Sequence, residues 1–107
     1  MTELEKLEEY LKAHGYIFEH ITEQAPEGTP EAMRSKYYSK IPWRDQIIVY
    51  DEDGYRLWDA VCHMGSYGAE QGLIEVMGDQ VTHDDVEGFL TAEDIIKVLE
   101  GSENSEH

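Results

Sequence analysis

The chain has 107 residues, 24 of them acidic and 8 basic, for a formal net charge of −16. That length provides for one domain with a modest core. The charge argues against direct binding to nucleic acid phosphates or anionic membrane and favours basic proteins and cations as partners. Residues 1–44 carry a net of −2 and residues 45–107 a net of −14, while the apolar content is too high for a disordered acidic tail.

In chain order, Thr2-Glu3-Leu4-Glu5 has the form of a capping box, with Leu4, Leu7 and Leu11 at helical spacing behind it and Gly15 as a stop. This predicts a helix over 3–14. Tyr16 to Ile21 is short, aromatic and β-branched and predicts a strand, with either of its faces available to the helix. Residues 22–44 contain all three prolines, Pro26, Pro30 and Pro42, and half of the basic residues, Arg34, Lys36, Lys40 and Arg44. They predict a mobile loop, with a basic and aromatic run at 34–44 suited to self-association.

Ile47 to Tyr50 and Tyr55 to Val61 flank Asp53-Gly54, a strong signal for a hairpin with a two-residue turn. The register that follows pairs Val49 with Trp58, Ile48 with Asp59 and Ile47 with Ala60. One face then carries Ile47, Val49, Trp58 and Ala60, with an Asp51–Arg56 pair near its outer end. The other face carries Ile48, Tyr50, Leu57, Asp59 and Val61. From Ser66 to about Met77 the pattern predicts a second helix, with Leu73, Ile74 and Met77 inward and Gly78 ending it. Asp79 to Glu87 reads as an acidic connector. Thr91-Ala-Glu-Asp94 is another capping box, with Leu90 and Ile95 as a hydrophobic staple and Gly101 as the stop. The expected fold class is α+β, a small antiparallel three-stranded sheet with helices packed on it, in the order α-β-β-β-α-α. Residues 1–101 form the domain and 102–107 a loose tail.

The single cysteine, Cys62, fits a reducing compartment. With no signal-like segment and no apolar run of bilayer length, the expectation is a cytoplasmic protein. Cys62 and His63 are neighbours on a strand and point to opposite faces, so they form no nucleophile–base pair; nothing in the spacing requires His83 of the connector to reach Cys62, which reads as a small buried residue. His14, His20, His63 and His83 show no zinc-like spacing, and neither a metal nor a cofactor is expected. Gly65, Gly68 and Gly72 lack the basic residue of a phosphate loop and read as packing glycines.

The remaining signal is the acidic surface: Asp51, Glu52 and Asp53 with Tyr55 at the hairpin tip, Asp79, Asp84, Asp85 and Glu87 in the connector, then Glu93 and Asp94. Such carboxylates solubilise a protein. On a rigid body they also imitate a phosphate backbone for a basic groove, with Tyr50, Tyr55 or Tyr67 as buried anchors.

The stretches IIVYDEDGYRLWDAVCHMGSYGAEQGLIEVMG (47–78) and DDVEGFLTAEDIIKVLEG (84–101) resemble the small acidic proteins of phages and prophages of Gram-positive bacteria. Anti-CRISPR inhibitors and other DNA mimics are among these. The resemblance implies a non-enzymatic interaction domain that blocks a basic nucleic-acid-binding protein. The residues leave open a small enzyme or ligand-binding module with a pocket near Asp59, His63 and Tyr67, and a structural or assembly role.

Overall fold

The computed structural model describes residues 1–24, 28, 43–63 and 65–104, the last three of these as backbone only. Helix α1 spans Glu3–Ala13 and is closed at both ends by its own sequence. Glu5 N–H donates to Thr2 Oγ1 at 3.1 Å and Thr2 N–H to Glu5 Oε1 at 3.3 Å. At the other end Gly15 takes φ 74°, Tyr16 N–H returns to the Leu11 carbonyl and Gly15 N–H to that of Lys12. This pair of bonds is the Schellman arrangement.

Five strands follow: β1 (Ile17–Glu23), β2 (Arg44–Tyr50), β3 (Arg56–Val61), β4 (Ile74–Met77) and β5 (Glu87–Leu90). They form one antiparallel sheet in chain order, and α2 (Ala92–Asn104) completes the domain. The expected three-stranded sheet is therefore corrected to five strands, in the order α-β-β-β-β-β-α.

The difference lies at residues 66–77. Gly68 and Gly72 both take left-handed conformations, φ 90° and 73°, on either side of a three-residue 3₁₀ turn, Ala69–Gln71. A helix cannot run through two such residues. The chain beyond them extends, and Ile74 and Val76 turn inward at alternate positions while Met77 is 48% exposed. The connector likewise resolves into a turn, closed by the Val81 and Thr82 N–H groups on the Gly78 carbonyl, and then β5.

The hairpin register holds at Val49↔Trp58, Ile48↔Asp59 and Ile47↔Ala60. The turn itself is longer than the expected two residues. Asp51 N–H bonds the Tyr55 carbonyl and Gly54 N–H the Asp51 carbonyl, leaving Gly54 alone at positive φ, 88°. This is a three-residue loop, and a bulge between Val49 and Tyr50, which pairs with Arg56, restores the register. Arg56 consequently reaches Asp59 at 2.9 Å, and the expected Asp51–Arg56 pair is not formed.

The core lies between one sheet face and both helices. It joins Leu4, Leu7 and Leu11 of α1, Ile47 and Val49 of β2, Trp58 and Ala60 of β3, Ile74 and Val76 of β4, Val81, and Ala92, Ile95 and Leu99 of α2. Strand β1 turns Phe18 and His20 to this side, opposite Val49 and Ile47. The capping box of α2 forms as expected, with Asp94 N–H on Thr91 Oγ1 at 3.1 Å and Thr91 N–H on Asp94 Oδ2 at 2.9 Å. The helix continues through Gly101 to Asn104, because Gly101 does not take the positive φ that would end it. The loop expected at 22–44 is strand at both ends, and Pro26, Pro30, Pro42, Arg34, Lys36 and Lys40 lie outside the described residues.

Gly78 ends β4 at φ 130°, and a Cβ there would sit 2.5 Å from Trp58 Cβ and 2.9 Å from the Leu57 carbonyl oxygen. Gly78→Ala is expected to cost about 2–4 kcal/mol, combining overpacking with backbone strain. Gly54→Ala, at positive φ but with nothing within 4 Å, is expected to cost about 1–2 kcal/mol. Urea denaturation of the two variants measures the difference, and equal losses would remove the close approach as its cause.

Candidate functional site

The ten acidic and aromatic residues expected to contact a partner fall into three places. Asp51, Glu52, Asp53 and Tyr55 form the β2–β3 turn, where Asp51 Oδ1 accepts the Asp53 and Tyr55 N–H groups at 2.9 Å each. Glu93 and Asp94 lie in the first turn of α2, Glu93 facing Lys97 at 3.5 Å and Asp94 spent on the cap. Asp79, Asp84 and Glu87 are brought together. They line an open hollow of ≈ 680 Å³ with His83, Thr82, Val81 and Val98. Asp85 is exposed beside it in sequence but is not part of the lining.

Local chemistry builds this hollow. The β4–β5 connector doubles back on the Gly78 carbonyl, burying Val81 and Thr82 at 3% and 7% exposure. Thr82 Oγ1 accepts the Asp84 N–H at 3.1 Å, which turns the chain so that Asp84 lines the hollow. Helix α2 supplies Val98, 44% exposed, as an apolar wall. The result is an apolar surface edged by carboxylates.

No described cation answers those carboxylates. Lys6 pairs with Glu3, Lys12 with Glu8, Arg44 with Glu23, Arg56 with Asp59 and Lys97 with Glu93. Each described lysine and arginine is thus engaged away from Asp79, Asp84 and Glu87.

The other sequence candidates are placed separately. Asp59, 5% exposed, accepts from Gln46 Nε2 at 2.9 Å besides its Arg56 contact. Gln46 in turn accepts two bonds from Arg44, giving a polar line across the sheet face away from the helices. His63 and Ser66 close a turn, His63 N–H donating to Ser66 Oγ at 3.0 Å. Tyr67 stands 63% exposed. Neither the acidic hollow nor the second hollow is lined by Asp59, His63 or Tyr67.

That second hollow, ≈ 350 Å³, holds Cys62 beside Asp45, Thr2, Glu3 and Thr91. Burial, then the charges of Asp45 and Glu3, push the Cys62 thiol above its ordinary value, so it stays protonated and is a poor nucleophile. His83 lines the acidic hollow and does not share this one. Among the described residues no group of three or more His, Cys, Asp or Glu side chains is arranged to hold a metal ion. No described helix is long and apolar enough to cross a membrane.

Sequence reasoning did not anticipate the role of His20. It sits between α1 and β2, with Nδ1 3.0 Å from Glu8 Oε2 and Nε2 2.5 Å from Asp45 Oδ1. Burial disfavours the imidazolium, but the hydrogen bonds and charges of Asp45 and Glu8 together outweigh it and raise His20 above its ordinary 6.5. The same bond to His20 lowers Glu8 from 4.5. The raised histidine stabilises the fold fully below pH 6.5, and this contribution is lost as pH climbs through the folded-state value. The lowered Glu8 stabilises above pH 4.5 and fails as pH drops through its folded-state value.

The stability lost in His20→Gln is therefore expected to be greatest between pH 4.5 and 6.5 and to shrink steadily toward alkaline pH. Urea titrations of both proteins across that range measure it. A pH-independent difference would mean that the imidazole acts by packing alone.

No protein-family model, curated protein or solved structure matches this chain.

Proposed function

We propose that this chain is a non-enzymatic acidic interaction domain that offers the β4–β5 connector and α2 to a basic nucleic-acid-binding protein, in place of that protein's phosphate ligand. The observation that carries this reading is the set Asp79, Asp84 and Glu87, paired with no lysine or arginine among the described residues, around an apolar-walled hollow. A protein needing only solubility has no use for arranging carboxylates about a concavity. Basic side chains with aliphatic stems suit such a place, the stem lying on Val98 and the head reaching the rim. The net charge of −14 over residues 45–107 adds long-range attraction, which speeds encounter and makes it sensitive to salt. The raised Cys62 thiol and the engaged Asp59 offer little to the enzymatic alternative.

The test is capture from a lysate of a Gram-positive bacterium at low salt. Wild type is compared with an Asp79→Asn/Asp84→Asn/Glu87→Gln variant and with an Asp51→Asn/Glu52→Gln/Asp53→Asn variant. A basic protein should be retained by wild type, released by moderate salt and displaced by duplex DNA. The first variant is expected to weaken binding at least tenfold, with a smaller loss at the hairpin tip. Retention that ignores salt, or that survives the first variant, would overturn the reading.

A further inference from the structure

Tyr67 and Phe89 are both largely exposed, at 63% and 58%, and their rings stack with centroids 6.5 Å apart and planes 25° from parallel. Phe89 is the one non-glycine residue among those described with positive φ, 60°. A residue with a β-carbon adopts that conformation only where its surroundings over-determine it. Here they do. A Cβ at Gly88 would fall 2.4 Å from Tyr67 Cβ, and one at Gly68 would fall 3.0 Å from Phe89 Cα. Phe89 N–H also bonds the Tyr67 carbonyl at 3.4 Å. Two glycines thus let two aromatic residues lock together on the surface, where the Phe89 ring gains little burial in return.

We infer that Tyr67 and Phe89 are the aromatic anchor on which an arginine side chain of the basic partner docks. The inference rests on the reading above and names its contact. A pair of π faces attracts a cation, and arginine suits it better than lysine because its guanidinium is planar and weakly hydrated. The charge around the anchor agrees: Glu70 follows Tyr67 by three residues, Glu87 precedes Phe89 by two, and Glu87 also lines the acidic hollow. The chain's own described cations are all paired with carboxylates elsewhere. Tyrosine and arginine are also the side chains that most often dominate interface energetics.

The test uses deca-arginine and deca-lysine as probes in low-salt calorimetry, with Phe89→Gly and Phe89→Asn. Both substitutions suit positive φ, so each removes the ring and relieves strain. Deca-arginine affinity is expected to fall about three- to fivefold in both variants, with deca-lysine changed less than twofold and the melting temperature unchanged or raised. Equal losses for the two peptides, or none, would overturn the anchor while leaving the acidic reading intact. A drop in melting temperature would make the ring a structural plug. Conversion of a dimer to a monomer in sedimentation would assign the platform to a second copy of the chain; either result overturns the inference. Failure of both peptides to bind wild type would remove the acidic reading and the anchor with it.

Discussion

The sheet is organised around the contact of Trp58 with Gly78. Trp58 is 1% exposed, with Val49 opposite it on β2 and the end of β4 on its other side. Only a residue without a side chain lets the end of β4 lie so close to the Trp58 Cα and Cβ, and Ala60, the next inward position on β3, is small as well. Bulk in one strand and its absence in the neighbours is what close packing demands of a narrow core. Because β4 can approach there, the chain leaves the sheet at Gly78, folds its turn on that carbonyl and returns as β5. Both the acidic hollow and the Tyr67–Phe89 pair hang from that return.

Charge is divided along the same lines. Exposed ion pairs of the kind formed by Lys6, Lys12 and Arg44 contribute at most about 1 kcal/mol each. Their larger effect is to balance the field over α1, β1 and the start of β2. Among the described residues nothing comparable balances the field at the β4–β5 end. The asymmetry seen in composition is thereby turned into a direction in space. At about 0.15 M salt it is felt over roughly 8 Å.

Elements that begin in a capping box or alternate cleanly were legible in the chain. The Thr2 and Thr91 capping boxes, the Leu4-Leu7-Leu11 stripe and the inward set Ile47, Val49, Trp58 and Ala60 all follow from local patterning. Residues 66–77 were not, because Leu73, Ile74 and Met77 fit a helical stripe as well as Ile74 and Val76 fit a strand. The choice was made by the backbone at Gly68 and Gly72, where two left-handed residues outweigh a weak apolar period. A four-residue strand such as β5, containing Gly88, carries too little pattern to be seen at all. In the candidate site, Asp79, Asp84 and Glu87 were legible as charge, but their meeting around Val98 depends on how α2 crosses the connector. His20 was visible only as a histidine with two possible faces; Glu8 and Asp45 lie 12 and 25 residues away from it. Phe89 has no local signature, since its strain arises from Gly68 and Tyr67 across a loop.

Glu3 does more than begin a helix. Its Oε1 accepts the Ala92 N–H at 2.8 Å, a bond spanning 89 residues, and so stitches the start of α1 to the start of α2. Closing a flexible loop of that length costs about 4 kcal/mol in chain entropy. The five strands, by contrast, pair in sequence order, each with its neighbour in the chain. Once such a meander has formed, it carries the two helices to the same face and removes most of that entropic cost. The meander thus brings the two ends of the chain together, each helix completing the surface on which the other rests.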